Sequence, residues 1–252
     1  MIREKFIDKR VGDSMKFRWR SHEISRIEGL SDAVFAFAVT LLVVSLEVPK
    51  TFTELMTAMR GFGAFAVCFT LLFVVWFNQY KFFRHYGLTD NFTVVLNGLL
   101  LFVVLFYVYP LKFVFTFFID QLTGGHGEVR LPNGTVESMI DSPDQVATLM
   151  IIFGVGYMAV FAVFALLYWH AYRKRTELDL NERELFDTRI DIRESLLNVS
   201  IAAISVALAV FGGHYAATSG MIYMLTPIIL MTHSRLNRRR RRKLETAIAP
   251  AL

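Results

Sequence analysis

Six stretches of the chain are apolar over lengths close to that of a bilayer-crossing helix: about Ser31 to Val48, Gly61 to Phe77, Phe92 to Tyr109, Ala147 to Trp169, Leu196 to Gly213 and Ala216 to Met231. A crossing helix needs roughly 20 mostly apolar residues, because lipid offers its backbone no hydrogen-bond partner. The first four stretches satisfy this, and the last two are short of apolar bulk. With 54% hydrophobic residues and a mean hydropathy of +0.44, the chain is too apolar for an ordinary soluble domain. The expected fold class is an all-α integral membrane protein with six transmembrane helices per chain in an oligomeric bundle.

Orientation follows from the basic residues, which collect in cytoplasmic loops. With both termini cytoplasmic, 23 of the 27 lysines and arginines fall inside and only Lys50, Arg60, Lys112 and Arg130 outside. The pI of 9.4 is thus a topology signal and does not call for nucleic acid. Residues 1–25 then form a basic cytoplasmic tail, expected as a surface helix or loose segment. Residues 26–234 form the six-helix transmembrane domain, with 119–146 an extracytoplasmic loop and 171–194 a cytoplasmic linker. Residues 235–252 form a second basic cytoplasmic tail. Its run Arg238 to Lys243 is a stop signal for the last helix or a contact for anionic lipid headgroups. A secretory signal is not expected, since polar, basic residues precede the first apolar run. Cys68, the single cysteine, excludes disulfides within the chain.

The outer loop holds the pattern of a small hairpin over Val129 to Val136, with Asn133-Gly134 as its turn. The Tyr172 to Glu194 segment alternates acids and bases three or four apart, which favours a solvated helix extending below the membrane.

In the first span Leu30, Val34, Phe37, Leu41, Val44 and Val48 recur at steps of four and three, a seven-residue repeat that makes one apolar stripe. Thr40 and Glu47 flank the stripe on a helical wheel, and Asp32 points away from it, toward the bundle. Arg26 and Asp32 are costly in lipid and therefore mark a functional site. Six residues apart, they pair only across a break near Gly29 or through other helices, as a buried clasp. Ser31 or Asp32 also fits as an N-cap.

The segment Arg26-Ile27-Glu28-Gly29-Leu30-Ser31-Asp32 resembles the Arg-x-x-x-Phe-Ser-Asp signature of the transmembrane protein 175 family of potassium channels, found in prokaryotes and lysosomes. Ala33 to Val44 is similar to the same helix in prokaryotic members, and Trp76, Asn97 and Pro110 look like family landmarks. The resemblance implies a homotetramer in the cell inner membrane, multi-pass, conducting potassium along four copies of the first helix. It implies that Phe37, Thr40, Leu41 and Val44 line the path, that Arg26, Leu30, Ser31 and Asp32 form the structural motif, and that Trp76 and Asn97 support it. No cofactor is implied beyond potassium as the permeant ion. Leu30 replaces the signature Phe, Gln79 stands where the family usually has His, and Phe37 is bulkier than the usual Ile or Leu. Phe37 is thereby expected to be the tightest constriction of a leak-type, potassium-selective or weakly selective channel, with Glu47 and Glu54 concentrating cations outside.

Other signals are weaker. Gly154-Val155-Gly156-Tyr157 sits inside a continuous apolar span, where small residues serve close helix packing and not an ion filter. The six histidines lack metal spacing, and no nucleophile and base pair up for catalysis, so an enzyme is not expected. Two alternatives stay open: a secondary transporter or proton-coupled carrier using Asp32, and a non-conducting membrane scaffold.

Overall fold

The computed structural model describes residues 17–21, 23–44, 50–125, 127–130, 135–212, 218–223, 225–233, 235 and 237. Five helices follow one another: α1 Arg26–Val44, α2 Phe52–Tyr86, α3 Asn91–Leu122, α4 Pro143–Arg173 and α5 Glu182–Phe211. A hairpin of β1 Glu128–Arg130 and β2 Val136–Ser138 joins α3 to α4, pairing Val129 with Glu137. Residues 218–223 and 225–233 are helical as well. The expected hairpin is therefore present, while its Asn133-Gly134 turn lies outside the described residues, as does the run Arg238 to Lys243.

Among the described residues, four helical segments are long and apolar enough to cross a membrane: Gly61–Tyr86, Asn91–Leu122, Pro143–Arg173 and Glu182–Phe211. The fifth stretch thus proves stronger than its apolar bulk suggested. The described part of α1 is 19 residues and carries Arg26, Glu28 and Asp32 near its start.

Helix ends follow local chemistry. Ser25 caps α1: its hydroxyl accepts from the Glu28 N–H (3.3 Å) and its own N–H donates to Glu28 Oε1 (3.0 Å), a reciprocal capping box. This corrects the assignment of Ser31 or Asp32 as caps, since both sit within the helix. Asn181 and Glu184 build the same device at the start of α5. At Gly87, φ of +60° ends α2, and the backbone of Arg20 passes 3.5 Å from where a Cβ would stand. A side chain here would meet both backbone strain and a crossing strand.

Helices also overrun two expected loops. α2 continues through Gln79 to Tyr86, leaving residues 87–90 as the connection, and α3 continues to Leu122. Lys112, counted with the outer residues, consequently lies inside α3. In the short connection Asp90 Oδ2 stands 2.9 Å from His170 Nε2, and Oδ1 accepts from Thr93 at 2.7 Å. Burial pushes the Asp90 carboxyl up, but these bonds outweigh it and hold it below its ordinary value.

α4 and α5 make the most extensive pairing, α3 packs between α2 and α4, and among the described helices α1 packs on α2 and α3. Close approach in the centre depends on two glycines. A Cβ on Gly154 would meet Val206 and Tyr223, and one on Gly156 would overlap the Tyr107 ring. The packing role expected of both holds. α1 is left at the edge of the bundle with half its circumference uncovered.

Candidate functional site

α1 buries one stripe, Glu28, Ser31, Phe35, Ala38 and Leu42, at alternating steps of three and four against α2 and α3. This is a seven-residue repeat too, but offset by one position from the Leu30 to Val48 stripe. Those residues turn elsewhere: Leu30 is 60% and Phe37 56% exposed, Thr40 is exposed, and Val34 and Leu41 are half-buried. The Val44 and Glu54 side chains, and all of Glu47 and Val48, lie outside the described residues.

Ser31 anchors the helix. Its buried hydroxyl donates to the Ile27 carbonyl (2.8 Å) and accepts from Asn97 Nδ2 (2.9 Å), while Asn97 Oδ1 accepts from Gln79 Nε2 (2.5 Å). Gln79 is 2% and Asn97 1% exposed. Three helices are thereby joined by one buried chain of amide and hydroxyl groups. In so dry a setting each such group must be paired, so the chain fixes the relative heights of α1, α2 and α3.

On the adjacent face Asp32 Oδ1 accepts from Trp76 Nε1 at 2.7 Å. The pair closes one end of an open groove of about 410 Å³ between α1 and α2, otherwise lined by apolar side chains such as Phe35, Val39, Phe69 and Phe73. Asp32 therefore reaches the bundle, as expected, while remaining solvent-accessible on one side. The Arg26–Asp32 clasp is not formed within the chain: both side chains are exposed, and Asp32 is held by Trp76 instead. Their separation by six residues on an unbroken helix keeps them apart.

The buried ionic site at this end involves other residues. Arg18 and Arg20 converge on Glu184, at 2.9 and 2.7 Å, and Glu184 is 1% exposed. Arg18 also donates to the Asp179 carbonyl. The Arg20 N–H donates to the Arg84 carbonyl, Arg84 approaches Glu28 at 4.0 Å, and Phe17 stacks on His85. Residues 17–21 and 23–25 are thus neither helical nor loose, but a strap bonded to α2 and α5 that runs into the α1 cap. At the other end of α1, Lys112 Nζ donates to the Leu42 carbonyl at 3.0 Å.

Sequence reasoning found Ser31, Asp32, Trp76 and Asn97, which the fold brings together. It missed Gln79 as a partner, Glu184 and Lys112. The Ser-x-x-Glu spacing of Ser25 and Glu28 was a legible cap signal, and a lone lysine in an apolar run was a legible anomaly. Among the described residues no three His, Cys, Asp or Glu side chains gather as a metal site.

Comparison with known proteins decides the family. Residues 26–107 match the family described as endosomal/lysosomal potassium channel TMEM175. A protein of Marivirga tractuosa named "Potassium channel" is 39% identical over 238 residues, covering 93% of this chain and 96% of that protein. The chain belongs to the TMEM175 family of potassium channels. A Streptomyces collinus member, also named a potassium channel, is 25% identical over 85% of this chain and 90% of its own. The crystal structure of a variant of the potassium channel MtTMEM175, in complex with a nanobody-MBP fusion protein, superposes with a TM-score of 0.77 at 39% identity, covering 90% of this chain and 99% of that one. TMEM175 members are ion channels and not enzymes, and the matched segment begins at Arg26, the first residue of α1.

Proposed function

We propose that the chain forms a potassium channel whose ion path runs along the uncovered face of α1, supplied by each copy of a homotetramer. The observation that carries this reading is the division of α1 into two faces. One is packed on α2 and α3. The other presents Leu30, Phe37 and Thr40, with the charged Arg26 at its start. Turned to lipid, that second face would carry the exposed Arg26 charge toward the hydrocarbon boundary, which is unfavourable. Turned to a shared axis, that charge meets water and neighbouring copies. One helix per chain cannot enclose a conduit, so closed rotational symmetry is required.

In this arrangement Phe37 forms the narrowest ring, Thr40 supplies oxygens beside it, and Leu41 and Val44 continue the apolar wall. A ring of apolar side chains conducts when wide enough to stay wet and closes by expelling water when narrowed. The six-span layout with cytoplasmic termini is supported by the distribution of lysine and arginine, and a position in the plasma membrane by the likeness to prokaryotic members of the family. Anionic lipid contact at Arg238 to Lys243 belongs to the same reading.

Replacing Phe37 with Ala is expected to widen the ring, raising unitary conductance and lowering potassium-over-sodium selectivity of purified protein in planar bilayers. Unchanged currents and selectivity would remove Phe37 from the path. A carrier using Asp32 would instead give slow, saturable flux coupled to a second ion, and a scaffold would give none.

A further inference from the structure

Lys112 is the only charged side chain between Phe102 and Ile119, the apolar heart of α3. Lysines near the end of a span ordinarily extend their stems toward the nearest water. Here the ammonium turns onto the Leu42 carbonyl of α1, 3.0 Å away. Leu42 is fully buried on the packed stripe and adjoins Leu41 of the proposed path wall.

Taken with the N-terminal anchors, this contact has a mechanical meaning. Ser31 and Asp32 hold α1 to α3 and α2 at one height. Leu42 is eleven residues, about three helical turns, further along. A helix behaves as a short rod, and two attachments define its tilt where one would leave it free to swing. Phe37, Thr40 and Leu41 lie between the two attachments, on or beside the opposite face.

We propose that Lys112 is a positioning residue for the ion path: from behind α1 it pins the second half of the helix to α3 and so sets how far the constriction side chains reach toward the axis. The inference rests on α1 being the path. Lys112 acts through Leu42 and does not itself touch the permeant ion.

The test compares full-length wild type with Lys112→Met, Lys112→Gln and Lys112→Arg, purified and reconstituted in planar bilayers, reading the potassium-to-sodium permeability ratio, unitary conductance and oligomer size. Met preserves the stem without a donor, and Gln is too short to reach Leu42. Both are expected to shift the permeability ratio by on the order of threefold or more at normal oligomer size, the scale of a coupled packing contact. Arg keeps charge and donors and is expected to restore the wild-type ratio. If Met fails to assemble, Gln decides by the same ratio. Wild-type ratio and conductance in the assembled Met or Gln variant would overturn the assignment. Failure of both to assemble would also overturn it, reducing Lys112 to a folding residue. Wild type without potassium current would instead defeat the channel reading and take this inference with it.

Discussion

One amide, Asn97, links α1 to α2 through the buried centre. Its Oδ1 takes the Gln79 donor and its Nδ2 reaches Ser31, so Asn97→Leu orphans the buried Gln79 amide and takes one of two partners from the Ser31 hydroxyl, which still donates to the Ile27 carbonyl. A buried group left unsatisfied costs about 1–3 kcal/mol. The variant is therefore expected to lower the thermal unfolding midpoint of the detergent-purified protein clearly. The double replacement Asn97→Leu with Gln79→Leu should be less harmful than the sum of the two singles, because each change removes the group that the other would orphan. A double mutant at least as unstable as that sum would mean the chain of bonds is not a unit. At this scale the sequence was partly readable. Ser31, Asp32, Trp76 and Asn97 stood out, but their connectivity did not. The bonded partners lie 44 and 66 positions apart, and nothing in their spacing says which donor meets which acceptor.

At the scale of the element, α1 carries two interleaved seven-residue stripes, and only one is used for packing inside the chain. Periodicity identified an apolar stripe without telling which partner it would meet, since a helix in a membrane is apolar on nearly every face. The packed stripe, from Glu28 to Leu42, includes a glutamate and a serine and was invisible to a search for hydrophobic repeats. Gly156 shows the opposite case, where a sequence signal sufficed. A small residue inside an apolar span announces close approach, and the neighbour is the Tyr107 ring. Gly156→Ala is expected to push that ring aside and break the bond from the Tyr107 hydroxyl to the Phe153 carbonyl, now 2.7 Å. The cost is about 1–3 kcal/mol, the range for overpacking, read as a lower unfolding temperature. An Ala variant as stable as wild type would show that the α3–α4 interface yields freely.

Across the whole molecule, the strap at residues 17–25 ties the bundle together at one end. It connects the last part of α2 with the start of α5 and then becomes α1, so the helix proposed to form the path is continuous with a buried ionic centre. Glu184 holds Arg18 and Arg20 there while also closing its own helix cap. Glu184→Ala is expected to leave Arg20 largely buried without its carboxylate and to release the strap. Removing one partner of a fully buried pair costs ~3–5 kcal/mol; with Arg18 half exposed, about 2–3 kcal/mol is the fitting scale. Limited proteolysis should then cut near residues 17–25 in the variant and not in wild type. Equal protection of both would show that the remaining contacts, Phe17 on His85 and the Arg20 N–H on the Arg84 carbonyl among them, retain the strap without Glu184.

The apolar lengths, the basic residues and the Arg26 to Asp32 signature were enough to read a helical membrane protein and its family, because these properties are local and add along the chain. Which face of α1 packs, which carboxylate the arginines choose, and where Lys112 sends its ammonium were settled only when α2, α3 and α5 came together. Buried polar groups accept whichever partner the fold brings within about 3 Å, and that choice depends on helix rotation and height, quantities a linear pattern does not contain.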